Sequence, residues 1–302
     1  MSEDPVAIEA HQLVRRFGRT DAVDGLNLRV ERGRCYGFFG RNGAGKTTTI
    51  KCLLNLLRPT SGTVRILGLD PVRDEVAFKS RIAYVPDAVA FYPWMTVRDT
   101  LDYLASFRPR WNDAAERSLL ARFRLDPARH ASQLSKGQRT QLALVGAICA
   151  EPDVLILDEP TSGLDPIVRR EFVEAVIGAF QEGGAGTRTV FVSTHLITEF
   201  EGLIDEFTII DNGREVLTLE ADAARERYRK IYARFAQEPA GLELPGAHAV
   251  RHRGREVEVL ASADAEALVT RLRAHSPESL VTEALSLEEI FVATLQPGAA
   301  AA

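Results

Sequence analysis

The chain has 302 residues, 45% of them hydrophobic and 26% charged, with a formal net charge of −5. Such a composition belongs to a soluble globular protein, long enough for one large domain and a smaller one, and it lacks the basic field that nucleic acid as a main partner needs. The longest apolar run, Leu142 to Ala150, is far short of the roughly twenty residues of a membrane span, and the acidic start Met1-Ser2-Glu3-Asp4-Pro5 is no secretory signal.

Val6 to Phe17 and Leu26 to Glu31 alternate apolar and polar residues, which predicts half-buried antiparallel strands. Cys35 to Phe39 is a short buried strand, and a helix follows from Thr47 to Leu57, with Ile50, Leu53, Leu54 and Leu57 on one face. Pro59 to Gly62 is a turn; Val64 to Leu67 and Arg81 to Val85 are further strands. From Ala88 to Gln133 the pattern is helical and carries Phe91, Tyr92, Trp94, Tyr103, Phe107 and Trp111. A helix runs from Lys136 to Ala150, and Val154 to Leu157 is apolar throughout, as in the middle of a parallel sheet. Pro166 to Phe180 is a helix, Gly183 to Gly186 a turn and Thr189 to Val192 a buried strand. Phe207 to Ile210 and Glu215 to Leu217 form a hairpin about Asp211-Asn212-Gly213. The composition changes near Glu220. Beyond it come strands at Ile231 to Phe235 and Val257 to Leu260, helices at Ala263 to Ala274 and Leu287 to Leu295, a loop at Pro239 to Pro245 and a frayed end at Gly298 to Ala302. Cys35, Cys52 and Cys149 have no C-x-x-C spacing and are expected to be core residues rather than metal ligands.

The stretch Gly40-Arg41-Asn42-Gly43-Ala44-Gly45-Lys46-Thr47-Thr48 reads G-x-x-x-x-G-K-T between a strand and a helix, the context this phosphate-binding pattern requires. Its glycines let the backbone bend so that loop N–H groups converge on a polyphosphate. The helix start adds free donors and roughly half a positive charge. Lys46 is placed to neutralise β- and γ-phosphates, Thr47 to ligate Mg²⁺ and Thr48 to help hold phosphate. The strand at 154–157 ends in Asp158 and Glu159. Beside such a loop, Asp158 is expected to hold Mg²⁺, directly or through water, and Glu159 to act as general base on the attacking water. Leu134-Ser135-Lys136-Gly137-Gln138 opens the next helix. By itself it is an N-cap or an anion-binding helix start.

The order of these motifs resembles the ATP-binding-cassette (ABC) ATPases, whose signature is L-S-G-G-Q or a close variant. The likeness continues through Ser162-Gly163-Leu164-Asp165, the family's D-loop, and Ser193-Thr194-His195, with its switch histidine. Upstream, Phe17 matches the aromatic that stacks on adenine. Residues 6 to 218 carry the resemblance. It implies an α/β fold: a P-loop NTPase core over 1–220 with an antiparallel β subdomain and a helical subdomain at about 88–150, followed by a small α+β domain at 221–302. It also implies ATP and Mg²⁺ as cofactors and head-to-tail pairs, in which Lys46, Thr47, Asp158 and Glu159 of one chain face Ser135, Gly137 and Gln138 of the other. Asp165 is then expected at the nucleotide interface and His195 at the γ-phosphate.

Tyr84-Val85-Pro86-Asp87 aligns with the Q-loop, where most relatives carry Gln. Asp87 is either a Mg²⁺-site carboxylate or a solvated loop residue. Lys136 departs from L-S-G-G-Q and either adds charge near the partner's ATP or points to water. The aromatics after Asp87 are either subdomain core, favoured for Phe107 and Trp111, or, for Tyr92, Trp94 and Met95, the lining of a groove for a membrane subunit. Leu285 to Phe291 is similar to an ending common in ABC-2-type exporters. The resemblance therefore implies a cytoplasmic ATPase at the inner face of the cell membrane, paired with itself or a related ATPase, driving a separate permease and not binding nucleic acid. The rival reading is a soluble ABC ATPase outside transport.

Overall fold

The computed structural model describes residues 5–182, 188–239, 241–262 and 264–295. The turn at Gly183 to Gly186, Ala263 and the tail from Gly298 lie outside the described residues. The chain divides into two compact units, one ending at Val216 and one beginning at Leu217.

In the first unit β1 (Val6–Phe17) and β2 (Thr20–Glu31) form a long antiparallel hairpin. Its second strand begins at Thr20 rather than Leu26, because the hairpin closes tightly at Gly18-Arg19, where Gly18 is left-handed. β3 (Cys35–Gly40) leads through the P-loop into α1 (Lys46–Leu53). That helix ends one turn earlier than its apolar spacing predicts, since Asn55 adopts φ 54 and turns the chain out of the helix. β4 (Ser61–Ile66) joins β1 and β2 in a three-stranded sheet. α2 (Glu75–Arg81), absent from the sequence reading, precedes β5 (Ile82–Val85).

α3 (Val97–Ala105) starts with a capping box between Thr96 and Asp99, and α4 (Asp113–Arg122) with Asn112 accepting from Ala115 N. Both pack on α5 (Lys136–Cys149) through buried Leu101, Leu120, Leu142 and Val145. Phe107 is not core: it is 66% exposed, on the same outward face as Tyr103 one turn earlier. Trp111 is half-buried and donates from Nε1 to the buried Glu116, which also pairs with Arg98 at 2.6 Å.

β6 (Val154–Asp158), α6 (Pro166–Glu182), β7 (Thr189–Thr194), β8 (Glu206–Asp211) and β9 (Arg214–Glu220) complete a six-stranded sheet of order β5-β6-β7-β3-β8-β9, parallel from β5 through β8. Its middle strands are buried throughout, as a sheet covered on both faces requires. The β8–β9 turn places Asn212 and Gly213 at φ 47 and φ 76, the pair of positive values a tight hairpin demands. Gly213 N donates to Ala44 O at 2.9 Å, and Gly213 O accepts from Asp24 N at 2.9 Å, so the turn braces the P-loop from behind. The three cysteines are buried and free. Burial pushes the Cys52 thiol up to about 11 and the Cys149 thiol to about 12, which keeps both protonated and inert.

The second unit contains α7 (Ala221–Arg227), β10 (Arg229–Arg234), β11 (Ala249–Arg253), β12 (Glu256–Ala261), α8 (Ala265–Ala274), β13 (Ser279–Ala284) and α9 (Leu287–Leu295). The strands form an antiparallel sheet of order β11-β12-β10-β13. Ile231, Ala233, Val257, Val259 and Ala261 make its inner face and close on Leu268 and Leu272 of α8. α7, β11 and β13 were not visible in the sequence pattern.

Candidate nucleotide site

In an open parallel sheet, ligands bind beyond the carboxyl ends of the strands. Here three adjacent strands, β6, β7 and β3, end together. β3 delivers Gly40 and the P-loop, β6 delivers Asp158 and Glu159, and β7, lying between them, delivers Ser193, Thr194 and His195. Register pairs Asp158 with Ser193 and Phe39 with Thr194, so the three ends are level.

The loop backbone is shaped by its glycines. Gly43 and Gly45 have φ 83 and φ 106, and Gly45 directly precedes α1. A Cβ on Gly40 would come 2.8 Å from Ile210 O, and one on Gly45 would strike Ala22 O. At Gly43 a Cβ would meet nothing, so that glycine serves the turn and leaves open space at the loop. Ala44 is buried and closes a turn onto Arg41 O; Asn42 is exposed.

Lys46 is only 6% exposed and its Nζ donates to Gly40 O at 2.7 Å and Arg41 O at 3.3 Å. The same Nζ lies 2.8 Å from Glu159 Oε1. That contact is an ion pair without hydrogen-bond geometry, which leaves the buried Oε1 with no hydrogen-bond donor. Glu159 Oε2 accepts from His195 Nδ1 at 2.7 Å and from His195 N at 3.3 Å. Glu159 itself holds φ 47, a strained value for this residue type that its surroundings must maintain. Asp158, 1% exposed, accepts from Ser193 Oγ at 2.7 Å and from Thr47 Oγ1 at 3.2 Å through Oδ1, and from the Tyr84 hydroxyl at 3.4 Å through Oδ2. Burial raises its pKa, against the two hydroxyl bonds that lower it; Glu159 and Asp87 add to the rise. Burial and the Asp158 charge likewise push the Tyr84 hydroxyl up.

The structure therefore brings together Lys46, Thr47, Asp158, Glu159 and His195, with Thr48 beside them on α1. Asp87 is exposed, and its charge reaches Asp158 and Tyr84. The remaining predicted residues spend their hydrogen bonds locally. Ser135 Oγ accepts from Gln138 N at 3.1 Å while Gln138 Oε1 accepts from Ser135 N at 3.1 Å, a capping box that starts α5. Gly137 packs on α6: a Cβ there would lie 3.2 Å from Val168 Cγ1. Asp165 Oδ1 accepts from Ile167 N and Val168 N, both at 3.1 Å, at the start of α6. Phe17 is 47% exposed and the Arg15 guanidinium covers one face of its ring at 4.5 Å, leaving the ring as a platform. Lys136 is exposed, and its Nζ also has a partner within its own chain, donating to Ser162 O at 2.8 Å. Ser193 and Tyr84, which hold Asp158, were assigned no such role from sequence, although the S-T-H run at a strand end was the available signal.

These residues fit ATP and a divalent cation. Among the described residues no cluster of three His, Cys, Asp or Glu side chains forms a self-sufficient metal site. A cation there would take Asp158 and Thr47, which already touch, as its ligands from this chain, with phosphate oxygens supplying the rest. A buried carboxylate whose charge is opposed by burial is the partner a divalent ion favours.

Comparison with known proteins agrees with this geometry. The family model described as "ABC transporter" matches residues 23–162. Nod factor export ATP-binding protein I of Burkholderia lata is 32% identical over 299 residues, covering 95% of this chain and 97% of that protein. The bacitracin transport ATP-binding protein BcrA of Bacillus licheniformis is 34% identical over 225 residues, covering 74% of this chain and 72% of its own length. A solved ATP-binding subunit of an ABC transporter superposes with a TM-score of 0.65 at 29% identity, over 73% of this chain and 92% of that one.

Proposed function

The chain belongs to the ABC transporter family as an ATP-binding, ATP-hydrolysing subunit, and from that premise we propose that it powers a separate membrane permease, in the direction of export, by pairing head to tail with a second copy or a related ATPase subunit. The observation that carries the reading is the cluster of Lys46, Asp158, Glu159 and His195 at three level strand ends. Export is supported by the relative named for Nod factor export, and transport by the one named for bacitracin transport. No described helix is long and apolar enough to cross a membrane, so the pathway is assigned to another polypeptide. Residence at the cytoplasmic face follows from that partnership.

Lys46 neutralises Glu159. On binding, Lys46 turns from Oε1 to the β- and γ-phosphate oxygens, and the P-loop N–H groups take the remaining oxygens. Glu159 is then free to accept a proton from the attacking water at Oε1, the oxygen that has no donor of its own. His195 holds the other oxygen through Nδ1 and fixes the carboxylate's direction. Bound Mg²⁺ supplies charge neutralisation at the phosphates, held by Thr47 and Asp158, with Asp87 as the nearby exposed carboxylate. Phe17 stacks on adenine by its uncovered face. Ser135, Gly137 and Gln138 meet the nucleotide of the partner, as the exposed start of α5 allows.

The aromatic ladder supports the membrane partnership. Trp94, Tyr92, Tyr103 and Phe107 are all exposed, and in that order each ring centroid lies 4.9–5.9 Å from the next. An exposed aromatic patch of this kind marks an interaction surface.

The test is a pull-down from native membranes with tagged Glu159→Gln protein, with and without ATP. A polytopic membrane protein in the eluate is expected. Recovery of soluble partners alone, with the protein absent from membranes, would replace this reading with a non-transport ABC ATPase.

A further inference from the structure

The loop that follows Glu159 hangs between two cations. On one side Lys136 Nζ donates to Ser162 O at 2.8 Å. On the other, Arg169 Nη2 donates to Leu164 O at 3.0 Å, while its Nη1 pairs at 2.6 Å with Glu199, four residues after His195. Within the loop, Ser162 N donates to Glu159 O at 3.1 Å and Leu164 N to Thr161 O at 3.2 Å, so Ser162 and Glu159 belong to one hydrogen-bonded turn. Gly163 makes room for the lysine: a Cβ there would lie 3.1 Å from Nζ, and its φ of 70 disfavours a side chain anyway. The α5 start also packs directly on this segment, through Gly137 against Leu164 and Val168.

We propose that Lys136 is a positioning residue that ties the start of α5 to the catalytic turn, so that engagement of Ser135 with the partner's nucleotide sets Glu159 of its own chain. The inference rests on the head-to-tail pairing proposed above. Ser135 and Lys136 are consecutive but serve opposite directions. Ser135 is exposed at the helix start, whereas the Lys136 ammonium is anchored in its own loop. A shift of the helix start on meeting phosphate therefore passes through a charge-assisted hydrogen bond, about twice as strong as a neutral one, to Ser162 O. From there it reaches Glu159, whose positive φ makes it sensitive to how the turn is held. Lys136 itself is exposed, so losing this bond costs the fold little.

The experiment measures ATP hydrolysis against ATP concentration for the wild type, Lys136→Met and Lys136→Arg, with thermal melts of each. The wild type should be cooperative. Lys136→Met should bring the Hill coefficient close to one and lower the maximal rate about fivefold, in the range of ordinary coupling energies. Its half-saturating ATP concentration should stay within about twofold, since Lys136 makes no bond to its own P-loop. Lys136→Arg, which keeps the cation, should restore most of the cooperativity. Wild-type cooperativity and rate in Lys136→Met would overturn the proposal, and so would equal losses in both variants accompanied by a lowered melting temperature. Gel filtration of Glu159→Gln with ATP separates the two levels: no ATP-dependent dimer removes the pairing and the coupling with it, while a dimer alongside an unaltered Lys136→Met removes Lys136 alone.

Discussion

In the C-terminal unit Ile231 and Ala233 point inward and Tyr232 and Arg234 outward, and the pattern continues on β12. Charges there stay near the surface: Lys230 pairs with Glu289 at 2.5 Å, and Glu289 is still 43% exposed. At the ends of β3 and β6 the opposite holds. Lys46 and Asp158 are buried, Glu159 carries φ 47, and a buried oxygen lacks a donor. A fold keeps such costs only where something else is gained. The sheet of the second unit is organised for stability, and the strand ends of the first are organised for a charged ligand.

The largest effect should come from Lys46→Ala, which removes the cation from the strand-end cluster. The turnover rate should fall by about a thousandfold, as loss of a key phosphate-stabilising charge does, measured by phosphate release at saturating ATP. An equal loss from a C-terminal substitution would erase the contrast. Leu272→Ala, in the core under α8, should cost about 3 kcal/mol in urea unfolding of the second unit through the cavity it leaves. Asp158→Asn should do the reverse of a normal core mutation. Ser193 and Thr47 can still donate to the amide oxygen, and a buried charge is removed, so the nucleotide-free protein should gain about 1 kcal/mol while hydrolysis falls, though by less than in Lys46→Ala. The sign fixes the pH signature. Because the folded pKa of Asp158 is raised, the folded state holds more protons than the unfolded one above the ordinary aspartate value. Stability therefore falls as pH rises through that raised value, and the Asn variant should lack this fall.

The smallest effect belongs to Glu289→Gln. Glu289 caps α9 by accepting from Ser286 N and Ser286 Oγ, and its pKa is lowered first by the Lys230 hydrogen bond. Its contribution is present above the ordinary glutamate value and is lost as pH falls through the lowered one. At neutral pH the substitution should cost about 0.5 kcal/mol after solvent screening. Below the lowered pKa, wild type and variant should melt alike.

Much of the nucleotide site was legible because each part breaks a composition rule locally: glycines before Lys46, two carboxylates ending an apolar strand, a histidine after another. Elements that bury little were not legible. α2 has only Phe78 buried, so no periodicity shows, and β13 is an edge strand exposed along most of its length. Tyr103 and Phe107 share a helical face by spacing, but spacing does not say whether that face meets the core or solvent. The contact of Lys136 was missed for a different reason: its partner is a backbone carbonyl 26 residues away, which no side-chain pattern marks.

The turn at Asn212-Gly213 has a kinetic consequence. With Gly213 hydrogen-bonded to Ala44 from behind, the phosphate loop is held in shape by the chain's own backbone. Loop ordering is then expected to add little to the encounter with ATP. Lys46 must part from Glu159 to reach a phosphate, so the association rate is expected to rise with conditions that weaken that ion pair and to be indifferent to those that stiffen the chain.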